Sequence, residues 1–233
     1  MTSNLVQKMM RKYYPAQKEQ FRLRLKELIP VCEIALDAGC GDGRIFKYEH
    51  KEQLNMLVGV DLREDLADNQ QIHFGVQADV GNLPFRNNTF DLIFSRFLLE
   101  HIKEPEPVFL EFARILRPGG RLLIIVPNAF HYFSLAGRII PHSWQQRFAG
   151  LVGYQAEDTF PTYYRANTGG KLRKLAKRSG LEPQELIYQE VCNWFLTFSA
   201  ITFAPAIFYE RLVNRYAILG PIRCHIIAEF SKP

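Results

Sequence analysis

The chain has 233 residues, 47% of them hydrophobic and 23% charged, with a formal net charge of +5. This is enough for one globular domain with room for an added lobe, and the charge is too mild to point to nucleic acid or membrane. Its four cysteines, Cys32, Cys40, Cys192 and Cys224, have neither the close pairs of a zinc site nor the density of a disulfide framework, so no metal is expected and a reducing, cytoplasmic setting is read. The polar N-terminus, with Glu19 and Glu27, lacks the apolar stretch of a cleaved leader, and none is expected.

In chain order, a basic helical segment over residues 1–30 precedes a first apolar run, EIALDAG. A helix is expected from about Gly43. The runs MLVGVDL, IHFGVQADV and FDLIFS follow, then a helix through PEPVFLEFARIL and a fifth strand in RLLIIVP. Further on, KLRKLAKRSG reads as a helix stopped by Gly180, PQELIYQEV as a strand and IRCHIIAEF as a last strand. Short continuous apolar strands separated by helices and turns indicate an α/β chain: a doubly wound, mostly parallel sheet with helices on both faces. Gly119 and Gly120 read as the turn before the fifth strand.

Residues 36–46, LDAGCGDGRIF, lie where the first strand ends, the place at which an open α/β sheet binds its ligand. A dinucleotide fingerprint, G-x-G-x-x-G, would need a third glycine at position 44, which is Arg44; a phosphate loop would need a following G-K-S or G-K-T. Neither is present. Asp37, Gly39, Gly41 and Gly43 give D-x-G-x-G-x-G instead. Glycines let the backbone turn and approach a ligand, while the adjacent carboxylate favours a cationic group over a pyrophosphate.

This pattern resembles the first motif of the class I S-adenosylmethionine-dependent methyltransferases, type 11-like, and the likeness runs from about Ile34 to Asn128. The resemblance implies a Rossmann-like sheet of seven strands with an antiparallel last strand, and S-adenosyl-L-methionine as cofactor. It assigns cofactor contacts to Asp37, Gly39, Gly41, Gly43, Asp61, Leu62, Asp79, Val80 and Ser95. Asp61 closes the second strand, 18 residues past Gly43, where its carboxylate can accept both ribose hydroxyls. Asp79 matches the position facing the adenine amino group, with Val80 beside the ring. A lone Asp at a strand end is more often a cap or turn former; three at successive strand ends favour binding.

Methyl transfer from a sulfonium needs alignment and exclusion of water before it needs a base. If a hydroxyl or acidic carbon is the acceptor, His101 in SRFLLEHIKEP is the candidate base, against its packing as a structural histidine. The stretch also resembles quinone-biosynthesis O-methyltransferases, in which an earlier Glu joins a Glu-His pair at a metal. Here Glu100 and His101 remain but the earlier position is Phe97, which leaves metal dependence without support. The family's Asn/Asp-Pro-Pro-Tyr/Phe signature of amino-base acceptors is absent from SRFL, and the cations of KLRKLAKR (Lys171, Arg173, Lys174, Lys177, Arg178) read as a solvated face. Nucleic acid is not the expected partner.

The whole chain, 1–233, reads as one methyltransferase domain with two additions. Residues 128–168 read as an aromatic-rich lid longer than a connection needs. Its end, FPTYYRANT, resembles a motif of bacterial family members, and Tyr164 and Arg165 could orient an acceptor or pack the lid. Residues 193–219 form an apolar insertion between strands six and seven. Its core, VCNWFLTFSAITFAPAIFY, suits an interfacial helix peripheral to a membrane, a buried lid or a dimer contact; its hydroxyls and Pro205 argue against spanning. Both additions leave from the carboxyl edge, which favours a small-molecule or lipid-like apolar acceptor. The competing readings are a non-catalytic cofactor-binding or scaffolding protein and an NAD-dependent oxidoreductase; monomer and homodimer stay open.

Overall fold

The computed structural model describes residues 4–13, 19–44, 46–48, 51–139, 160–191, 196–197 and 199–233. The apolar runs become seven strands: β1 Ile34–Ala38, β2 Met56–Asp61, β3 Phe74–Gln77, β4 Phe90–Arg96, β5 Leu116–Pro127, β6 Glu182–Gln189 and β7 His225–Ser231. They form one sheet in the order β3-β2-β1-β4-β5-β7-β6, with β1 to β5 parallel. Gly119 N–H donates to Lys232 O and Lys232 N–H to Gly120 O, so the start of β5 lies beside the end of β7, which is antiparallel. The helices are α1 Asn4–Tyr13, α2 Gln20–Leu28, α3 Pro105–Ile115, α4 Tyr132–Ile139, α5 Gly169–Arg178 and α6 Ala200–Arg215.

Two local expectations are corrected. Residues 46–48, the described start of the expected helix, are not helical; they follow a turn and precede a short 3-10 helix, Lys51–Gln53. Phe46 and Tyr48 are both buried and Lys47 is exposed, a period of two that a helix cannot satisfy. Their rings stack edge-on at 5.0 Å and continue to Phe94 at 5.7 Å. Gly119 and Gly120 are not a turn before β5 but an irregularity inside it, where the β4 partner jumps from Leu116 to Arg121.

The chain divides into two compact units. The first, Gln20–Val126 with Thr162–Ile187 and Ile226–Pro233, holds the sheet. Its core includes Leu36, Leu92, Phe94, Phe109, Phe112 and Leu123, all fully buried. Pro105 opens α3, where its missing N–H is no loss, and the apolar face Val108, Phe109 and Phe112 turns inward. Glu229, 1% exposed on β7, is flanked by Arg24 Nε at 2.5 Å and Arg121 Nη1 at 2.8 Å. A buried carboxylate is tolerable only with such partners.

The second unit comprises Met1–Glu19, Pro127–Pro161 and Tyr188–His225. Val6 of α1 packs with Phe203, Ala206 and Ile207 of α6, backed by Met9, Met10 and Leu196. Ser199 caps α6 by accepting the Ile201 N–H at 3.2 Å, so the apolar insertion is helical from Ala200. Among the described residues, no helix is long and apolar enough to cross a membrane. Residues 140–159, the middle of the expected lid, and 192–195 and 198 of the apolar stretch lie outside the described residues.

Candidate functional site

Sheet register brings the expected residues to one edge of the first unit. Asp37 pairs with Gly59, Asp61 with Gln77, and Ala38 with Ser95. Asp37, Ser95 and Asp61 therefore lie at three successive levels at the carboxyl ends of β1, β4 and β2. The loop after β1 bends through Gly39, Gly41 and Gly43, at φ of +79°, +55° and +76°. A Cβ on Gly43 would collide with Asn69 Oδ1, whereas one on Gly41 would meet nothing within 4 Å. Gly43 is thus required by the fold, and Gly41 leaves backbone bare toward open space.

The loop is held from beneath. Gly39 N–H donates to Val60 O at 2.8 Å, and Gly41 N–H donates to Asp61 Oδ2 at 2.8 Å. Asn69, 4% exposed, donates from Nδ2 to Gly41 O at 3.0 Å while its Oδ1 accepts Gln71 N–H at 2.9 Å. Asp61 Oδ1 also accepts Arg63 N–H at 3.2 Å, so each oxygen keeps a second lone pair. Arg44, the residue that breaks the dinucleotide fingerprint, turns onto Asp42, with Nε 2.6 Å from Oδ2.

Asp37 is 1% exposed and receives the Tyr48 hydroxyl on Oδ2. Its Oδ1 and the Oγ of buried Ser95 have no hydrogen-bond partner among the described residues. Burial pushes the Asp37 carboxyl up to about 6, against the opposing pull of Tyr48 and Arg96. Asp79 is exposed and its Oδ1 accepts Gly81 N–H at 2.8 Å, a local turn that leaves Oδ2 uncommitted in that bond. Val80 beside it is buried, and Leu62 is 69% exposed.

The loop after β4 adjoins the glycine loop: a Cβ on Gly39 would sit 3.1 Å from Leu98 Cβ. Phe97 there takes a φ of +50°, uncommon for a residue with a side chain and costing on the order of 1 kcal/mol or more. A short turn, Leu99–His101, follows. His101 is half-buried, its Nε2 4.0 Å from Glu100 Oε1. Glu100 is 4% exposed, its Oε2 has no partner among the described residues, and burial lifts its carboxyl to about 8. The Glu100 carbonyl accepts Tyr163 N–H at 2.7 Å and Tyr164 N–H at 3.3 Å. FPTYYRANT is thereby fastened beside His101, with Tyr164 at a φ of +51°. Arg165 is exposed.

Sequence reasoning missed Asn69, Tyr48 and the acidity of Glu100. Asn69 and Tyr48 carry no motif spacing; the Glu100-His101 pair was visible, its burial was not.

Residues 36–124 match the family described as Methyltransferase domain. Over residues 36–124 the chain carries the methyltransferase domain of the class I S-adenosylmethionine-dependent family. The family's cofactor is S-adenosylmethionine, and the edge fits it: bare left-handed backbone at Gly41, and buried acceptors on Asp37 and Ser95 that lack partners among the described residues. The malonyl-[acyl-carrier protein] O-methyltransferase of Alcanivorax borkumensis is 33% identical over 133 residues, 53% of this chain and 42% of that one. The human mitochondrial arginine-hydroxylase NDUFAF5 is 34% identical over 91 residues, 37% and 26% of the two chains. A geranyl diphosphate methyltransferase solved with GPP and sinefungin superposes with a TM-score of 0.57 at 15% identity, over 92% of this chain and 78% of that one. The chain spans less than half the length of these two sequence relatives.

Proposed function

We propose that this chain transfers a methyl group from S-adenosylmethionine to an oxygen or carbon of a small or lipid-like apolar acceptor. The observation that carries the reading is the glycine loop: a left-handed Gly41 open to ligand, pinned by Asp61 and Asn69 above the buried carboxyl of Asp37. Bound there, the cofactor supplies a methyl already activated by its sulfonium.

The chain's own residues hold, align and exclude water. Asp61 uses its remaining lone pairs for the ribose hydroxyls. Leu62 and Val80 enclose the adenine, with Asp79 on its amino group. Asp37 and Ser95 supply acceptors at the strand ends, and a carboxylate favours the sulfonium's charge. On the acceptor side, His101 takes the proton when an oxygen or carbon acid reacts. Glu100, protonated near neutral pH, keeps negative charge off that wall until it ionises. Half-exposed Phe97 and Tyr163 give the acceptor aromatic surface, and Tyr164 and Arg165 orient it. Relatives named ubiquinone/menaquinone biosynthesis C-methyltransferase and ubiquinone biosynthesis O-methyltransferase support an acceptor with an apolar part, methylated at carbon or oxygen.

A lipid-like acceptor would be met at a membrane, and α6 suits that role. Ile201, Phe208 and Leu212, spaced as one helix face, are exposed, Ile201 to 85% and Phe208 to 70%. Exposed Arg211 and Arg215 end the helix, and exposed Lys8 and Lys12 lie on α1, which packs against it. Apolar residues flanked by cations favour an anionic bilayer surface. Co-sedimentation with anionic vesicles should fall for Phe208→Ser and with salt; full recovery of wild type in the supernatant would end the peripheral reading.

The relative named for hydroxylation favours one other reading, a protein of this fold with a different or absent reaction. Incubating the chain with isotopically labelled cofactor and a lipid and metabolite extract separates them by mass spectrometry. Label in an apolar product is expected; cofactor binding without labelled product would overturn the transfer.

A further inference from the structure

Three side chains of metal-binding type meet within the second unit, apart from the glycine-loop site: His131, Glu190 and Cys224. One ligand atom from each lies within 4.8 Å of the others. His131 is 1% and Glu190 7% exposed. They come from the segment after β5, the segment after β6 and the entry to β7, so distant parts of the chain supply one donor each. Glu190 Oε2 accepts Cys224 N–H at 3.0 Å, which fixes the carboxylate. Its other oxygen faces His131 Nε2 at 3.5 Å, beyond the usual hydrogen-bond length of about 2.9 Å. That nitrogen makes no hydrogen bond among the described residues. A buried acid and a buried imidazole thus face each other without the contact that would satisfy them, an arrangement that costs free energy unless something sits between.

We infer that His131, Glu190 and Cys224 bind a divalent cation of the zinc type, with a further coordination position left for water or another donor. Geometry supports it: tetrahedral zinc with bonds of about 2.0–2.3 Å holds its ligands roughly 3.3–3.8 Å apart. The nitrogen–oxygen pair is already at that separation, and sulfur must approach by about 1 Å at most. Charge supports it as well. Thiolate, carboxylate and neutral imidazole sum to two negative charges, which a divalent cation cancels, so the loaded site is neutral and compatible with burial. Thiolate and imidazole select zinc over magnesium or calcium.

One interaction opposes uptake. His131 Nδ1 accepts Phe133 N–H at 3.3 Å, so the neutral ring carries its proton on Nε2. Binding must shift that proton to Nδ1 and release the long bond. Burial and Glu190 also raise the Cys224 thiol, so the metal displaces a proton from sulfur and affinity should increase with pH. Pairs tens of residues apart explain why close-pair cysteine spacing gave no sign of the site.

The test uses the full chain stripped with chelator. Calorimetry with zinc should show a single saturable equivalent, tighter at pH 8 than at pH 6. Cobalt should give a sulfur-to-metal charge-transfer band that Cys224→Ser removes and Cys32→Ser retains. Glu190→Gln should weaken uptake at least tenfold. Absence of saturable uptake by folded wild-type chain, or an unchanged band in Cys224→Ser, overturns the site. If Cys224→Ser does not fold, X-ray absorption of zinc-loaded wild type decides: one sulfur among nitrogen and oxygen neighbours supports it, and a sulfur-free shell rejects it. None of these readouts depends on methyl transfer.

Discussion

The loops after β1 and β4 touch at Gly39 and Leu98, yet they hold their shape by opposite means. The first is determined by backbone: three left-handed glycines, with peptide groups bonded to Val60, Asp61 and Asn69. The second holds Phe97 in a glycine-like conformation and buries Glu100 with one oxygen lacking a partner among the described residues. On the proposed function the first loop seats the cofactor, which calls for a fixed shape, whereas strain and an unsatisfied acid in the second suit a wall where an acceptor is chosen and a proton moved. The comparison predicts separable defects.

The largest effect falls on the second loop. His101→Ala should lower the transfer rate by about 10²–10⁴-fold while leaving the cofactor dissociation constant within twofold. A parallel loss of cofactor affinity would mean that the loops do not act separately. Gly43→Ala comes next. It forces a side chain into left-handed backbone and against Asn69, and should cost about 2–4 kcal/mol in denaturant unfolding. Asp61→Ala removes one tether of the loop and the proposed ribose acceptor; charge-assisted bonds contribute about 1.5–3 kcal/mol, so cofactor affinity should fall roughly 10–100-fold by calorimetry. Unchanged affinity would remove Asp61 from the seat.

The smallest effect is one of pH. Glu100 has a folded pKa near 8 against an ordinary 4.5, so the folded chain holds a proton that the unfolded chain has released. Stability attributable to this group is therefore present below pH 4.5 and declines as pH rises toward 8, levelling above it. Asp37, raised to about 6, acts in the same direction between about 4 and 6. Glu100→Gln should remove most of the decline and raise Tm at pH 8, by about 2–4 °C for each kcal/mol recovered. A wild-type Tm that rises between pH 6 and pH 8 and is unaltered in the variant would contradict the buried acid.

Much of the sheet was legible because its signals are local. Continuous apolar runs ending in Asp37, Asp61 and Ser95 give the strands, and D-x-G-x-G-x-G marks the edge proposed to seat the cofactor. What was not legible depends on distant contacts. The Phe46 and Tyr48 rings override the helix expected after Gly43 because they pack on Phe94. Asn69 looks like any turn residue until its amide is seen under Gly41. Glu100 and His101 are adjacent letters, and burial alone separates a solvated pair from one whose acid titrates near neutral pH. His131, Glu190 and Cys224 converge only through the chain's return to the sheet.

The most direct measurement is a calorimetric titration of the folded chain with S-adenosylmethionine, with NAD as control. Saturable binding of the sulfonium nucleoside at one site per chain, and no heat from NAD, is the predicted result. Heat from NAD alone, or from neither compound, would contradict the seat built from Asp37, Gly41 and Asp61.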